Sequence, residues 1–149
     1  MKGKATPPCL DKLGHVSLST TNVPRALEFW IDTMGGRLAH QFRNDKDELY
    51  GFFVCVGGGT FLEIFNAPGA TSEGGLFRHL CLTVNDIGQW VDYLTRLGHD
   101  VKVRRGRTDH ILQLLFHDPD GTMIELQQHD DQSVLLPFMT NSDSAGQSS

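Results

Sequence analysis

Hydrophobic and polar positions alternate in two segments of the chain that both begin with a histidine. One segment reads His15-Val16-Ser17-Leu18-Ser19, and the other reads His79-Leu80-Cys81-Leu82-Thr83-Val84. Alternation over five or six residues predicts a half-buried β-strand. The aliphatic residues of each strand should lie on one face, and the histidine should lie on the other face with small or polar residues.

An amphipathic helix is predicted after each of these strands. The first helix has Asn22 as its predicted N-cap, Pro24 in its first turn, and the glycine pair Gly35-Gly36 after its end. The second helix follows Asn85-Asp86 and ends at Gly98. Apolar residues recur at helical spacing in both segments: Ala26, Leu27, Trp30, Ile31 and Met34 in the first, and Trp90, Val91, Leu94 and Leu97 in the second.

Three further strands follow each helix, so the predicted order of elements is βαβββ, twice. The predicted strands are Leu38–Arg43, Tyr50–Val56 and Thr60–Phe65 in the first half, and Asp100–Arg104, Ile111–Phe116 and Met123–Gln127 in the second. The repeats would occupy residues 13–66 and 77–128 of one α+β domain spanning 13–128. An N-terminal extension, 1–12, and a C-terminal tail, 129–149, flank this domain, and the end of the tail is expected to be disordered.

Two glutamates occupy matching positions near the ends of the two repeats. His15 and His79 are 64 residues apart, and Glu63 and Glu125 are 62 residues apart. Strand alternation places each glutamate opposite its aliphatic neighbours, on the same type of face as the histidines. Two imidazoles and two carboxylates in one cup suit a single divalent ion (Zn, Ni, Co, Mn or Fe(II)), which would also neutralise carboxylates that are costly to bury. The simpler alternative is a pair of exposed His–Glu contacts on a solvated sheet.

The overall charge and the cysteine content narrow the classes of function. The 149-residue chain has 18 acidic and 13 basic residues and a formal net charge of −5, which argues against general nucleic-acid binding. No stretch approaches the roughly 20 apolar residues that a membrane span needs. The cysteines Cys9, Cys55 and Cys81 lack paired spacing, so we expect reduced thiols in a cytoplasmic protein.

The segment before Glu125 carries a resemblance to a known family. It reads His117-Asp118-Pro119-Asp120-Gly121-Thr122-Met123-Ile124-Glu125-Leu126, a type I turn leading into a strand. With the paired βαβββ pattern and the order His, Glu, His, Glu, it resembles the vicinal oxygen chelate superfamily. That superfamily includes glyoxalase I, methylmalonyl-CoA epimerase, fosfomycin-resistance transferases and extradiol dioxygenases. The resemblance covers about Leu13 to Gln128, and it implies a metal-binding cup and a homodimer.

The resemblance also implies proton transfer at a carbon beside a carbonyl group. Family members hold two neighbouring substrate oxygens on the metal, and a carboxylate then moves the proton. An acid at Glu63 argues against the extradiol dioxygenases and the fosfomycin transferases, which use three protein ligands. We therefore expect a metal-dependent epimerase or isomerase with Glu125 as an acid–base residue and Glu63 or Glu48 as the partner base. Glu48 resembles an epimerase acid in position, although Asn44–Glu48 also fits an ordinary charged loop.

The expected substrate is a small oxygenated molecule. The predicted cup is rich in hydroxyl and amide groups (Ser17, Ser19, Thr83 and Gln127) and is flanked by Phe61 and Phe65. This mixture suits a hydroxyketone, such as a sugar- or cyclitol-like ketone, as well as an acyl thioester. Two alternatives stay open: a glyoxalase I-like lactoylglutathione lyase, and a non-catalytic protein of the same fold that binds a small ligand. We expect neither a nucleic-acid nor a membrane partner.

Overall fold

A computed structural model describes residue 11 and residues 13–71 and 77–139 of the chain. The predictions for most of the N-terminal extension and for the disordered end of the tail lie outside these residues. The chain divides into two compact units, with the boundary between Ala70 and Thr71. Within the described ranges, every helix is too short or too polar to cross a membrane.

The first unit is a four-stranded mixed sheet with a helix against one face. Its elements are β1 (His15–Thr20), α1 (Val23–Glu28), β2 (Arg37–Arg43), β3 (Leu49–Gly57) and β4 (Thr60–Asn66). The strand order is β1-β4-β3-β2. β1 and β4 are parallel, and the other two pairings are antiparallel.

The second unit repeats this topology. Its elements are β5 (Leu80–Thr83), α2 (Ile87–Arg96), β6 (Arg104–Arg105), β7 (Leu112–His117), β8 (Met123–Gln128) and a short α3 (Leu136–Met139). The strand order is β5-β8-β7-β6, and β5 and β8 are again the parallel pair. Both units therefore have the predicted βαβββ order, which confirms the predicted α+β fold class.

The helix ends confirm most of the predicted signals. The Asn22 side chain accepts a hydrogen bond of 3.0 Å from the Arg25 amide and so caps α1. Asp86 caps α2 in the same way, with a distance of 3.1 Å from the Gln89 amide. Gly98 follows the last turn of α2 with φ of 91°, a conformation that only glycine adopts without strain.

The first helix differs from the predicted regular helix because it widens at its end. α1 continues into a π-helical turn, Phe29–Thr33, in which the Met34 amide donates to the Phe29 carbonyl at 2.9 Å. The buried side chains of this segment are Val23, Ala26, Phe29 and Trp30. The predicted apolar face was therefore wrong in two respects. It omitted Phe29, and it included Leu27, Ile31 and Met34, which are only half-buried.

Strand alternation separates a buried face from an open face in each sheet. In the first unit Leu62 and Ile64 of β4 are about 1% exposed and lie on the side of α1. In the second unit Ile124 and Leu126 of β8 are fully buried on the side of α2. Burial of such side chains supplies about 1.5–3 kcal/mol each relative to leaving them exposed. The intervening positions, which include Glu63 and Glu125, consequently lie on the opposite faces.

The predicted strand Asp100–Arg104 has the wrong bounds, since the observed β6 shares only Arg104 with it. Only Arg104 and Arg105 pair with β7, opposite Gln113 and Leu112. Val101 is buried, which explains the apolar alternation that led to the prediction. The predicted alternation therefore came from one buried residue in a loop. The observed β6 is a short, basic edge strand, and short charged edge strands are a common way for sheets to limit pairing with other chains.

Candidate functional site

The first unit brings His15 and Glu63 together. The parallel register of β1 and β4 pairs Ser17 with Glu63, so His15 lies one pleat before Glu63 on the same face. The Nε2 atom of His15 is 3.7 Å from Oε2 of Glu63. The Glu63 side chain is only 19% exposed, which favours a nearby positive partner for its carboxylate.

The second unit brings His79 and Glu125 together by the same register. Cys81 pairs with Glu125, and His79 lies two residues before Cys81, immediately before β5. In the first unit His15 likewise lies two residues before Ser17, which pairs with Glu63. The Nε2 atom of His79 is 3.0 Å from Oε2 of Glu125, whose side chain is 12% exposed. The structure therefore places the four candidate ligands as two equivalent His–Glu pairs, one in each unit.

Each pair has the spacing of two neighbouring metal ligands. Ion–ligand distances of about 2.1 Å place adjacent ligand atoms roughly 3.0 Å apart at a right angle and roughly 3.4 Å apart at a tetrahedral angle. The observed 3.0 and 3.7 Å bracket this range. Protein metal sites need three or four ligands, however, and no group of three or more His, Cys, Asp or Glu side chains in the described ranges could hold an ion. Either pair by itself thus has too few ligands to hold an ion.

Cys81 contacts the second pair as a protonated thiol. Burial, reinforced by the charge of Glu125 and by a hydrogen bond to its carboxylate, raises the pKa of Cys81 to about 12. Beside this carboxylate the thiol is a hydrogen-bond donor at neutral pH, because thiolate formation would add a second negative charge. Cys81 is the neighbour of Glu125 across the β5–β8 pairing, and as a thiol it is a poor nucleophile.

The turn before β8 fixes where Glu125 enters the sheet. The buried Asp118 carboxylate accepts hydrogen bonds from the amides of Asp120 at 2.9 Å and Thr122 at 2.8 Å. The Gly121 amide donates to the Asp118 carbonyl at 3.0 Å, which confirms the predicted turn, and Gly121 has φ of 86°. Burial raises the pKa of the Asp118 carboxyl.

The structure does not bring Glu48 to the first pair. Phe53 pairs with Glu63 across β3 and β4, and Glu48 precedes Phe53 by five residues, about 16 Å of extended strand. Asn44 donates to the Glu48 carboxylate at 2.7 Å, and the Asn44 side chain accepts from the Glu48 amide at 3.0 Å. Glu48 thus completes the exposed turn that precedes β3.

A pocket opens beside His15 within the first unit. Its volume is about 480 Å³, within the range of about 300–1,000 Å³ that is typical of small-molecule sites. The pocket is mostly apolar and aromatic, which differs from the expected hydroxyl-rich cup. The lining residues are Gly14, His15, Ala39, His40, Phe53, Gly59 and Phe61.

A β-bulge in β2 gives this pocket one of its walls. Leu38 pairs with Val54 on the buried face, and His40 pairs with Phe53 on the open face, so Ala39 is an extra residue between them. Without the bulge, His40 would lie on the helix side of the sheet. Sequence analysis missed both His40 and Phe53, because their placement depends on strand register; the broken alternation at Ala39 was the available signal.

The open face of the second unit is polar by comparison. Gln113 pairs with Gln127, and the Gln127 amide group donates to the Thr83 hydroxyl at 3.2 Å. Arg105, in the edge strand β6, forms a two-pronged contact with Asp130, with distances of 2.7 and 3.2 Å. This contact lowers the pKa of Asp130 to about 2.

Comparison with models of known protein families assigns the chain to a superfamily. Residues 12–126 match the model of the Glyoxalase/Bleomycin resistance protein/Dioxygenase superfamily. The chain belongs to this superfamily. The resemblance to vicinal oxygen chelate proteins is thereby confirmed. Members of the superfamily are often enzymes and commonly bind a divalent metal ion.

Solved structures of the superfamily share the fold. A glyoxalase family protein from Enterococcus faecalis is 22% identical, with a TM-score of 0.66 over 78% of this chain and 96% of that one. The protein SMU.1112c is 26% identical, with a TM-score of 0.68 over 80% and 99%. A lactoylglutathione lyase from Agrobacterium tumefaciens is 18% identical, with a TM-score of 0.63 over 83% and 96%. Among proteins of curated function, none matches the sequence.

Proposed function

We propose that the protein is a metal-dependent epimerase or isomerase that moves a proton α to a carbonyl group. Its metal ligands are His15, Glu63, His79 and Glu125, which hold one divalent ion per chain. The observation that carries this proposal is the recurrence of the His–Glu pair at one register and at ligand spacing in both units.

The carboxylates of the two pairs supply the proton transfer. A bound divalent ion would act as a Lewis acid that makes the proton beside the carbonyl easier to remove. The Glu125 side chain is 12% exposed against 19% for Glu63, and this deeper burial suits the residue that exchanges a proton with carbon, so Glu125 is the acid–base residue. Glu125 takes the proton from carbon. In an epimerisation the partner base then donates a proton to the opposite face of the same carbon, and in an isomerisation Glu125 returns the proton to the neighbouring position.

Glu63 is a better candidate for the partner base than Glu48. Glu63 lies beside His15, which lines the pocket, and its side chain is largely buried. Glu48 lies five residues before Phe53, which pairs with Glu63. The Glu48 carboxylate also accepts a hydrogen bond from the Asn44 side chain. Substitution of Glu48 by glutamine should therefore leave proton transfer within about twofold of wild type, since exposed charges contribute little.

Proton exchange with solvent tests this proposal directly. The protein is loaded with Zn, Ni, Mn or Fe(II) and incubated with α-hydroxyketones in deuterated water, and loss of the α-proton signal is followed by NMR. We expect Glu125→Gln to slow exchange at least about 100-fold, the usual contribution of a general base. Glu28→Gln, the same change on the exposed face of α1, is the matched control. Equal exchange by both variants would refute the role of Glu125, and glutathione-dependent turnover of methylglyoxal would indicate a glyoxalase I-type lyase instead.

A second candidate function is favoured by the apolar pocket. A protein of this fold that binds a small hydrophobic ligand without catalysis would need such a pocket and would need neither His–Glu pair. Tight binding of an apolar ligand that is unaffected by chelators, together with no exchange activity for any loaded metal, would favour this function.

A further inference from the structure

The open face of the first sheet carries a connected set of aromatic rings, which we call the aromatic face: His15, His40, Phe42, Phe53, Phe61 and Phe65. We infer that the pocket beside this face binds a planar aromatic group, so that the substrate is an aryl ketone with oxygens on neighbouring carbons. The position of the reacting oxygens rests on the proposed function. The aromatic subsite itself rests on the geometry of the first unit alone.

The rings contact one another around a common centre. Phe53 lies edge-on to His15 at 5.6 Å and edge-on to Phe61 at 6.2 Å between ring centroids. Phe42 extends the set, at 5.3 Å from Phe53 and 4.9 Å from Phe65. These are the separations at which aromatic rings attract one another beyond simple burial. A ring that enters the pocket would meet similar edges and faces.

Phe53 and Phe61 are only half-buried, although their neighbours on the opposite side of the sheet form the core. Exposed aromatic surface is costly in water, and burial against a ligand would offset this cost in proportion to the area covered. A polyhydroxylated substrate gains nothing here, because its hydroxyl groups would lose water without finding enough partners on phenyl rings. The pocket therefore discriminates in favour of flat apolar groups.

The pocket also has a defined relation to the first His–Glu pair. His15 lines the pocket, and its Nε2 atom is the one that faces Glu63. A ring held against Phe53 and Phe61 would thus place its substituents beside this pair. The exposed imidazole of His40, on the opposite wall, is available to a polar group on the ring.

Three ketones that share a hydroxyacetyl group test the inference. They are 2-hydroxyacetophenone, cyclohexyl hydroxymethyl ketone and hydroxyacetone, and their binding is measured by saturation-transfer NMR with and without added Zn. We expect the aryl ketone to bind at least about tenfold more tightly than hydroxyacetone and several-fold more tightly than the cyclohexyl ketone. Phe53→Leu should weaken aryl binding about 3- to 10-fold.

Two further variants separate loss of the ring from loss of the fold. Ala39→Leu adds bulk to the exposed pocket wall without removing any packing, and it should weaken aryl binding at least about tenfold. Phe138→Leu makes the Phe-to-Leu change at a residue that is 80% exposed in the second unit, and it should leave affinity unchanged.

The outcomes distinguish this inference from the proposed function. Equal affinity for the three ketones, or undiminished binding by both Phe53→Leu and Ala39→Leu, would overturn the aromatic subsite even if proton exchange occurs. Preferential aryl binding that persists without metal and without exchange would support the subsite while counting against the proposed enzyme. Preferential exchange of the aryl ketone would support both.

Discussion

Removing the Asp118 carboxylate should destabilise the turn that leads into β8. The carboxylate accepts two backbone hydrogen bonds, at 2.9 Å from Asp120 and 2.8 Å from Thr122. Asp118→Ala leaves both amides without this acceptor in a partly buried turn. Asp118→Asn keeps an acceptor oxygen of the same reach and is the matched comparison.

The magnitude follows from these two bonds. Hydrogen bonds to a charged group are worth about 1.5–3 kcal/mol each, and the cost of holding the charge in a buried position offsets part of this. We expect Asp118→Ala to lose about 2–3 kcal/mol of unfolding free energy, or roughly 5–10 °C in Tm for a chain of this length. Asp118→Asn should lose less than about 1 kcal/mol.

The pH dependence gives this prediction a second readout. Because burial raises the pKa of Asp118 in the folded state, the stability linked to its protonation is fully present at low pH and is lost as pH rises through the folded pKa. The stability of wild type relative to Asp118→Asn should thus decrease between about pH 4 and neutrality. Urea unfolding at several pH values measures this difference. Equal stability of the Ala and Asn variants, or a difference that grows in favour of wild type with rising pH, would refute the reasoning.

Three other substitutions test separate parts of the structure. Arg105→Ala should return the pKa of Asp130 from about 2 toward its ordinary value near 4 in an NMR titration of the carboxyl. The stability that wild type loses through this group as pH falls from about 4 toward 2 should then be absent in the variant. An unchanged pKa would exclude Arg105 as the cause. Gly51→Ala should cost about 1–3 kcal/mol, because its Cβ would clash with the Phe65 ring and would lie 2.7 Å from the backbone carbonyl oxygen of Ile64. Urea unfolding without change would show that both the ring and the β4 backbone can move away freely. Gly121→Ala should cost about 1–2 kcal/mol in the same assay because φ is 86°, and a neutral result would mean that the turn adopts another conformation.

The features that sequence predicted well depend on local periodicity. Alternation of apolar and polar residues placed Leu62 and Ile64 on the buried face and Glu63 on the other. The internal repeat then predicted the same division of faces in β8. The two His–Glu pairs followed from the same parity, because parallel pairing of the first and last strands of each unit keeps equivalent residues together. Capping by Asn22 was similarly local.

The features that sequence missed depend on pairing between segments. The aromatic pocket requires the register of β2 against β3, and the bulge at Ala39 changes which residues of β2 share a face with Phe53. The π-helical turn at Phe29–Thr33 changes the helical phase in a way that a period of 3.6 residues does not describe. The isolated burial of Val101 reproduced the pattern of a strand without the pairing.

Metal content measured by elemental analysis tests the central claim most directly. Two ligands from one pair are too few to hold an ion, so both pairs are required. The account predicts close to one divalent ion per chain in wild type and in Glu28→Gln. It predicts loss of the ion when either pair is removed, in the double variants His15→Ala/Glu63→Gln and His79→Ala/Glu125→Gln. Full metal content in either double variant, or no binding by wild type after addition of Zn, Ni, Mn and Fe(II), would contradict it.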